Sequence, residues 1–308
     1  TYTLAGGVDG NTLADADLLR GFDLFKNDEE IDVSLIACGA VSATVASYVI
    51  QSICEIRKDC IALISPEQAD VVNNSGGEVN DSIAFRNSLP SSSYGVLDSG
   101  WKYQYDRYND VYRWIPLNGD VAGLCVKTDL LLNSWNSPAG LNRGGVKNIV
   151  KLAYSPSKAQ RDDLYSNSIN PVVSFRGQGV VLFGDKTLLT KPSAFDRINV
   201  RRLFIVLEKS IATMAKYSLF ELNTAFTRQR FVNIVEPYLR EVKARQGVYD
   251  FKVRCDETNN TGEVIDRNEF VADIFIKPTR SINFVTLNFI STRTDASFTE
   301  ILSSGIQF

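Results

Sequence analysis

Ile31-Asp-Val-Ser-Leu-Ile-Ala37 and Cys60-Ile-Ala-Leu-Ile64 are two short apolar runs that read as strands, and the stretch between them reads as a helix. Over about Thr44 to Lys58, Val45, Val49, Ile53 and Ile56 recur at intervals of four, four and three, one apolar stripe at helical spacing. Strand, helix and strand in that order predict a right-handed βαβ unit with parallel strands, and so an α/β fold. Gly39 and Ser65-Pro66 fall at the carboxyl ends of those strands, where open α/β sheets place ligands.

Outward from this unit the chain becomes irregular from Pro66 to Asn118, with loops at Asn73-Asn-Ser-Gly-Gly77 and Leu89-Pro-Ser-Ser-Ser93. An aromatic patch follows: Trp101, Tyr103, Tyr105, Tyr108, Tyr112 and Trp114. Interleaved Lys102, Arg107 and Arg113 would suit base stacking, but Asp98, Asp106 and Asp110 offset them one for one, so packing is the better reading. Val172-Val-Ser-Phe175 and Gly179-Val-Val-Leu-Phe183 read as a hairpin that closes a first domain, residues 1–192.

In the second domain, residues 193–308, Leu203, Leu207, Ile211 and Met214 form the stripe of one helix, with Lys209 and Lys216 facing solvent. Phe231, Ile234, Tyr238 and Val242 form the buried face of a second, capped by Asn223 or Thr224 and expected to kink or restart at Pro237. Strands at Tyr249–Cys255 and Phe270–Ile276, joined by a polar loop, and a third from Ser281 to Ile290 make this part α+β.

The 308 residues are 44% hydrophobic and 22% charged, which excludes disorder and low-complexity scaffolds and is enough for about two domains. Histidine is absent altogether, so imidazole bases and imidazole metal ligands are unavailable. The five cysteines are odd in number, lack a C-x-x-C pair and sit in apolar surroundings, which predicts buried, reduced thiols. The densest apolar run, Leu203 to Leu207, is far below the ~18 residues of a membrane span, so the chain reads as soluble. It opens on Thr1 with neither Met nor a signal peptide, and reads as a fragment or processed product.

The remaining motifs carry no cofactor or metal. Gly6-Gly7-Val-Asp-Gly10 and Gly177-Gln-Gly179 lack the continuation of a dinucleotide or Walker loop. Asp28, Glu29, Glu30 and Asp32 read as a solvated acidic turn, because consecutive side chains diverge on extended chain. Asp256-Glu-Thr-Asn-Asn260 lacks the frame of a calcium loop and reads as a hairpin loop. Residues 197–254 hold 12 cations against 5 anions, a local charge of +7 that points to an acidic partner. From residues alone the chain reads as a soluble two-domain protein without catalytic machinery, with a basic helical face and a strand-rich C-terminus; the alternatives are an α/β hydrolase or nucleotide-binding enzyme using the loops at Gly39 and Ser65, and a nucleic-acid-binding module using the basic helices.

Six segments taken in order resemble the contractile tail sheath proteins of bacteriophages, the T-even-like branch in particular. They are Thr3-Leu-Ala-Gly-Gly-Val-Asp-Gly10, Arg113-Trp-Ile-Pro116, Ser137-Pro-Ala-Gly-Leu-Asn-Arg-Gly144, Asn199-Val-Arg-Arg-Leu-Phe204, Val253-Arg-Cys-Asp-Glu-Thr-Asn-Asn-Thr261 and Arg280-Ser-Ile-Asn-Phe284. The resemblance implies a first domain of subtilisin-like α/β topology, without the triad, and an α+β sheath C-terminal domain. It also implies a longer parent chain, with an N-terminal arm and outer domains preceding this part. The implied function is a structural subunit, not an enzyme, assembled in the host cytoplasm into the virion's tail sheath. Such subunits stack around a tail tube and contract to drive it through the host envelope, without cofactor, nucleic acid or membrane insertion.

Two sets of site residues follow from that resemblance. Arg228, Arg230, Lys243 and Arg245 flank the apolar stripe of the second helix and are expected to face an acidic tube. Ile282, Phe284, Val285, Leu287 and Phe289 belong to a terminal strand that the family donates to a neighbouring subunit's sheet. Without the arm, the isolated fragment is expected to stay monomeric.

Overall fold

The computed structural model describes residues 6–7 and 13–283. After helix α1 (Asp15–Asp23), strand β1 (Leu35–Ala37) leads into helix α2 (43–57) and strand β2 (Ile61–Ile64). β1 and β2 are parallel, with Leu35 opposite Ile61. The predicted βαβ unit is therefore present, with two local departures. β1 begins only at Leu35, and the segment leading to it is tied elsewhere: the buried Arg57 guanidinium donates to Phe25 O at 2.5 Å and Ile31 O at 2.8 Å. Helix α2 is π-helical over Val49–Cys54, and the Glu55 amide donates to Ile50 O, five residues back. The extra residue advances the phase of the stripe: Val45, Val49 and Ile53 are buried, but Ile56 is exposed and Arg57 turns inward.

Helices α3 (Gln68–Val71) and α4 (Glu78–Ser88) precede strand β3 (Gly95–Asp98), which pairs parallel to β2. The hairpin of β4 (Trp101–Asp106) and β5 (Val111–Pro116) projects from the sheet, followed by helix α5 (Asn118–Leu131) and strand β6 (Lys151–Leu152) on the open edge of β4. Helix α6 (Lys158–Ser166) delivers strand β7 (Ile169–Asn170), completing a parallel sheet of order β1-β2-β3-β7. All four residues of β2 are buried, as a central parallel strand covered on both faces requires. Ala62 and Ile64 face the α2 side and Ile61 and Leu63 the α5 side, the alternation of a pleated strand. The hairpin of β8 (Val172–Phe175) and β9 (Gly179–Leu182) lies where the apolar pattern places it.

The aromatic patch lies on the β4–β5 hairpin, where Trp101 is buried and Tyr105, Tyr108 and Tyr112 are exposed. Tyr103 stacks on Tyr112 at 5.5 Å, Lys151 lies over Tyr103 and Trp114, and Trp101 is buried with its Nε1 donating to Pro66 O at 2.8 Å. Lys102 pairs with Asp120 and Arg113 with Asp106, so two of its three cations are occupied.

Two long helices, α7 (Ile198–Lys216) and α8 (Ala225–Ala244), pack against an antiparallel pair, β10 (Val248–Arg254) and β11 (Asp273–Pro278), with the short helix α9 (Gly262–Asp266) in their connection. The α7 stripe is as predicted, with Leu203, Leu207 and Ile211 buried, but Lys209 is held by Asp32 rather than free. The α8 face is rotated from the predicted one: Phe231, Val235, Leu239 and Val242 are buried, Ile234 is exposed and Tyr238 half-buried. Phe231 and Val242 satisfy either alignment, and packing against β10 and β11 selects between them. Thr224 caps the helix, its hydroxyl accepting from the Thr227 amide at 3.3 Å. The helix runs on through Pro237 without a restart. Pro237 and Asn233, whose carbonyl loses its donor, both lie on the solvent side. β11 begins at Asp273, three residues later than predicted, and the proposed third strand from Phe284 onward lies outside the described residues. All five cysteines are free and buried, with Cys54 and Cys60 Sγ atoms 3.7 Å apart.

Candidate functional site

The carboxyl edge of the parallel sheet is sealed rather than open. Asn118, at the start of α5, donates its Nδ2 to Gly39 O at 2.7 Å and accepts from the Gly39 amide at 3.3 Å. Its own amide donates to Ser65 Oγ at 3.0 Å, and Ser65 Oγ donates to Asp98 Oδ2 at 2.7 Å. Asp98 also accepts from the Gly100 amide at 2.9 Å, and burial pushes its carboxyl up to about 8. The loops singled out for an enzyme thus close on each other through buried side chains. The Ser65 hydroxyl is fully engaged, with no imidazole to activate it. Among the described residues no group of three His, Cys, Asp or Glu is arranged to hold a metal.

A groove of about 620 Å³ lies elsewhere, at the junction of the two halves, where residues 279–283 leave β11 and cross onto the first half. Asp185 is its anchor and is buried. It accepts from Ser281 Oγ at 2.5 Å, from Asn283 Nδ2 at 2.8 Å and from Tyr165 OH at 3.2 Å, with Arg197 Nη1 3.7 Å away. Arg197 donates to Tyr165 OH at 2.6 Å, and burial, then the neighbouring Asp185 charge, raise the Tyr165 phenol above its ordinary range. Asn199 Nδ2 reaches both Trp135 O and Thr279 O at 3.3 Å, bridging the start of α7 to the departing chain. Chemically this is a tether. It fixes the direction in which residues 279–283 leave β11, and its one carboxylate is occupied by Ser281, Asn283, Tyr165 and Arg197.

Composition and periodicity do not single out Asp185, Tyr165 or Arg197, since none belongs to a motif. A usable signal was present, however. Three of the six quoted segments, around Ser137–Gly144, Asn199–Phe204 and Arg280–Phe284, contribute walls of this one groove.

The basic window does not form one face. Arg228 is buried, its Nη1 donating to Asn223 Oδ1 at 2.8 Å, which corrects its expected outward placement: on this helical phase it falls on the Phe231–Val235 side. Arg201 and Arg202 are buried too, the first over Tyr94 and Phe195, the second paired with Asp129. Lys243 pairs with Asp250 at 2.8 Å and Arg245 with Glu241 at 2.6 Å, both exposed. Arg230 is exposed and makes no ion pair among the described residues. Of the strand residues, Ile282 is 85% exposed, while Phe284, Val285, Leu287 and Phe289 lie outside the described residues.

Residues 15–188 match the phage tail sheath protein central domain and residues 190–292 the phage tail sheath C-terminal domain. The tail sheath protein of Vibrio phage KVP40 is 48% identical over 98% of this chain and 48% of its own length. That of Enterobacteria phage T4 is 46% identical over 97% of this chain and 48% of its own. The chain therefore spans about half the length of these curated relatives. Among solved structures, the helical sheath of the anti-feeding prophage in its contracted state superposes with a TM-score of 0.72 at 18% identity, covering 94% of this chain and 77% of that one. The contracted PVC sheath of an extracellular contractile injection system also gives 0.72, at 17% identity, covering 88% and 75%.

Proposed function

The chain belongs to the phage tail sheath family, and on that premise we propose that it is part of a contractile tail sheath subunit. The subunit polymerises around the tail tube in the virion, after assembly in the host cytoplasm, and shortens to drive the tube through the host envelope. The observation that carries this reading is identity of 46–48% to phage tail sheath proteins over nearly the whole chain. The sealed sheet edge supports it, because it removes the crevice on which the enzyme reading depended. The basic window speaks against the nucleic-acid reading in another way: Arg201, Arg202 and Arg228 are buried, so its cations do not line one face for a phosphate backbone.

In this function the division near residue 192 separates a core domain from the domain that holds the moving connections. The terminal strand with Ile282, Phe284, Val285, Leu287 and Phe289 is donated to a neighbour. Support comes from the tether at Asp185, which leads the chain away from β10 and β11, and from exposed Ile282. Arg230, Lys243 and Arg245 remain the tube-facing cations. Exposed pairs such as Lys243–Asp250 contribute only about 0–1 kcal/mol each and exchange easily for new partners. Charge reversal at Arg230, Lys243 and Arg245 tests the assignment: sheath should fail to polymerise on tubes while the protein stays folded, and normal assembly would refute it. Electron microscopy of the whole protein tests the reading itself, since ordered helical tubes are expected of a sheath and not of an enzyme.

A further inference from the structure

The groove beside the Asp185 tether carries charge that the tether does not use. Arg143, Lys158, Arg161 and Arg280 all line it, and none of the four makes an ion pair among the described residues. Asp185 is offset by Arg197, which leaves Asp162 as the other carboxylate on the described walls and a net charge of +3.

Two of these cations are braced by contacts that leave their outer edges free. Arg143 stands on the loop 140–144, which is pinned to β9: the Gly140 amide donates to Leu182 O at 2.9 Å, and the Leu182 amide donates to Gly144 O at 2.8 Å. Arg143 Nε donates to Ser137 O at 2.9 Å, and its two Nη groups meet no acceptor among the described residues. Arg161 lies over the Phe175 and Phe183 rings, 5.4 and 5.8 Å from their centroids, and its guanidinium likewise meets no acceptor among the described residues. Lys158 precedes it by one turn on the same face of α6. Arg280 comes from the other half of the chain, on the segment that leaves β11, and is exposed.

Like charges gathered in a cleft with low-dielectric walls repel one another and concentrate an anion between them. The volume, about 620 Å³, falls within the ~300–1,000 Å³ of small-molecule sites. A guanidinium fork matches both carboxylate and phosphate, but the charge here exceeds what one carboxylate neutralises. A phosphoryl group carries about −1.5 to −2 at pH 7 and three strong acceptor oxygens, enough to engage Arg143, Lys158 and Arg161 together.

We infer that this groove binds a small phosphorylated molecule, with the phosphoryl oxygens on Arg143, Lys158 and Arg161 and Arg280 drawn in by the remaining charge. Because Arg280 belongs to the 279–283 segment, binding also holds that segment on the first half of the chain and adds to the Asp185 tether. The inference goes beyond the sheath reading and does not depend on it.

The test is calorimetric titration of the whole, unassembled protein with inorganic pyrophosphate and, in parallel, with glycerol phosphate and citrate at matched ionic strength. Saturable binding of one phosphate compound per chain is expected, and the tighter of the two tells a free phosphate from an ester. Citrate binding as tightly as either, or no saturable binding of both, overturns the proposal. Arg143→Gln and Arg161→Met should each weaken binding about tenfold or more, as the loss of a charge-assisted hydrogen bond does. Lys158→Gln, on the exposed rim, serves the same purpose should either arginine variant fail to fold by circular dichroism. Arg176→Gln removes an exposed cation outside the groove and should leave binding unchanged; an equal loss there would reduce the effect to overall charge and sink the site. As a second readout, trypsin cleavage after Arg280 should slow several-fold in pyrophosphate and not in citrate, and Arg161→Met should remove the protection. An unchanged cleavage rate in the parent protein at saturating pyrophosphate refutes the hold on residues 279–283.

Discussion

Asp98 makes the stability of the first half depend on pH, and the sign follows from its burial. In the folded chain its carboxyl is enclosed between Ser65 and Gly100 and titrates at about 8; in the unfolded chain it returns to its ordinary 3.8. The folded state therefore holds the proton more tightly. The resulting stability is complete below the unfolded value and is lost as pH rises through the folded one. At 1.36 kcal/mol per unit, the loss between pH 5 and pH 8 is about 3–4 kcal/mol, a large share of a typical ~5–15 kcal/mol. Asp98→Asn keeps the shape, can still accept from the Gly100 amide and cannot ionise. Urea unfolding of both proteins at pH 5 and pH 8, followed through the fluorescence of Trp101 and Trp114, isolates the effect. The variant is expected to be equal to or less stable than the parent at pH 5, and to gain on it by about 3 kcal/mol at pH 8. A change in their difference below about 1 kcal/mol would show that Asp98 stays solvated, and with it that the sheet edge is open.

In the C-terminal core, Leu239→Ala should cost about 3 kcal/mol by leaving a cavity, whereas Ile234→Ala on the exposed side should cost under about 1 kcal/mol; the opposite order in thermal unfolding would restore the unrotated helical face. Asp185→Ala should cost about 2–3 kcal/mol and release residues 279–283, so that limited proteolysis cuts there faster, while Asp196→Ala, on the other side of Arg197, should change little. Deleting residues 281–308 from the whole protein should abolish sheath formation while leaving the β1-β2-β3-β7 sheet folded by circular dichroism, and intact sheaths from that deletion would show that the strand is not exchanged.

Local pattern alone determined the parts of this protein that bury a contiguous apolar stripe. The βαβ unit around Cys60–Ile64, the hairpin at Val172–Phe175 and the Leu203–Ile211 face were legible because burial is proportional to apolar area, and area is written in the periodicity of side chains. The absence of histidine likewise excluded whole mechanisms without any coordinates. Tertiary structure decided what depends on partners distant in the chain. The inward turn of Arg57 is held by carbonyls 26 and 32 residues away. The phase of α8 was ambiguous because Ile234 with Tyr238 and Val235 with Leu239 both offer large side chains at helical spacing, and packing against β10 and β11 chose between them. Charge was the least legible property. A +7 window in sequence became a dispersed set of cations, because Arg197, Arg202, Lys209 and Lys243 find their counter-charges through space at Asp185, Asp129, Asp32 and Asp250, while Arg201 and Arg228 are buried and Arg230 stays exposed. The Asp185 tether is of the same kind: its groups come from residues 165, 185, 197, 281 and 283, and only folding brings them within hydrogen-bonding distance.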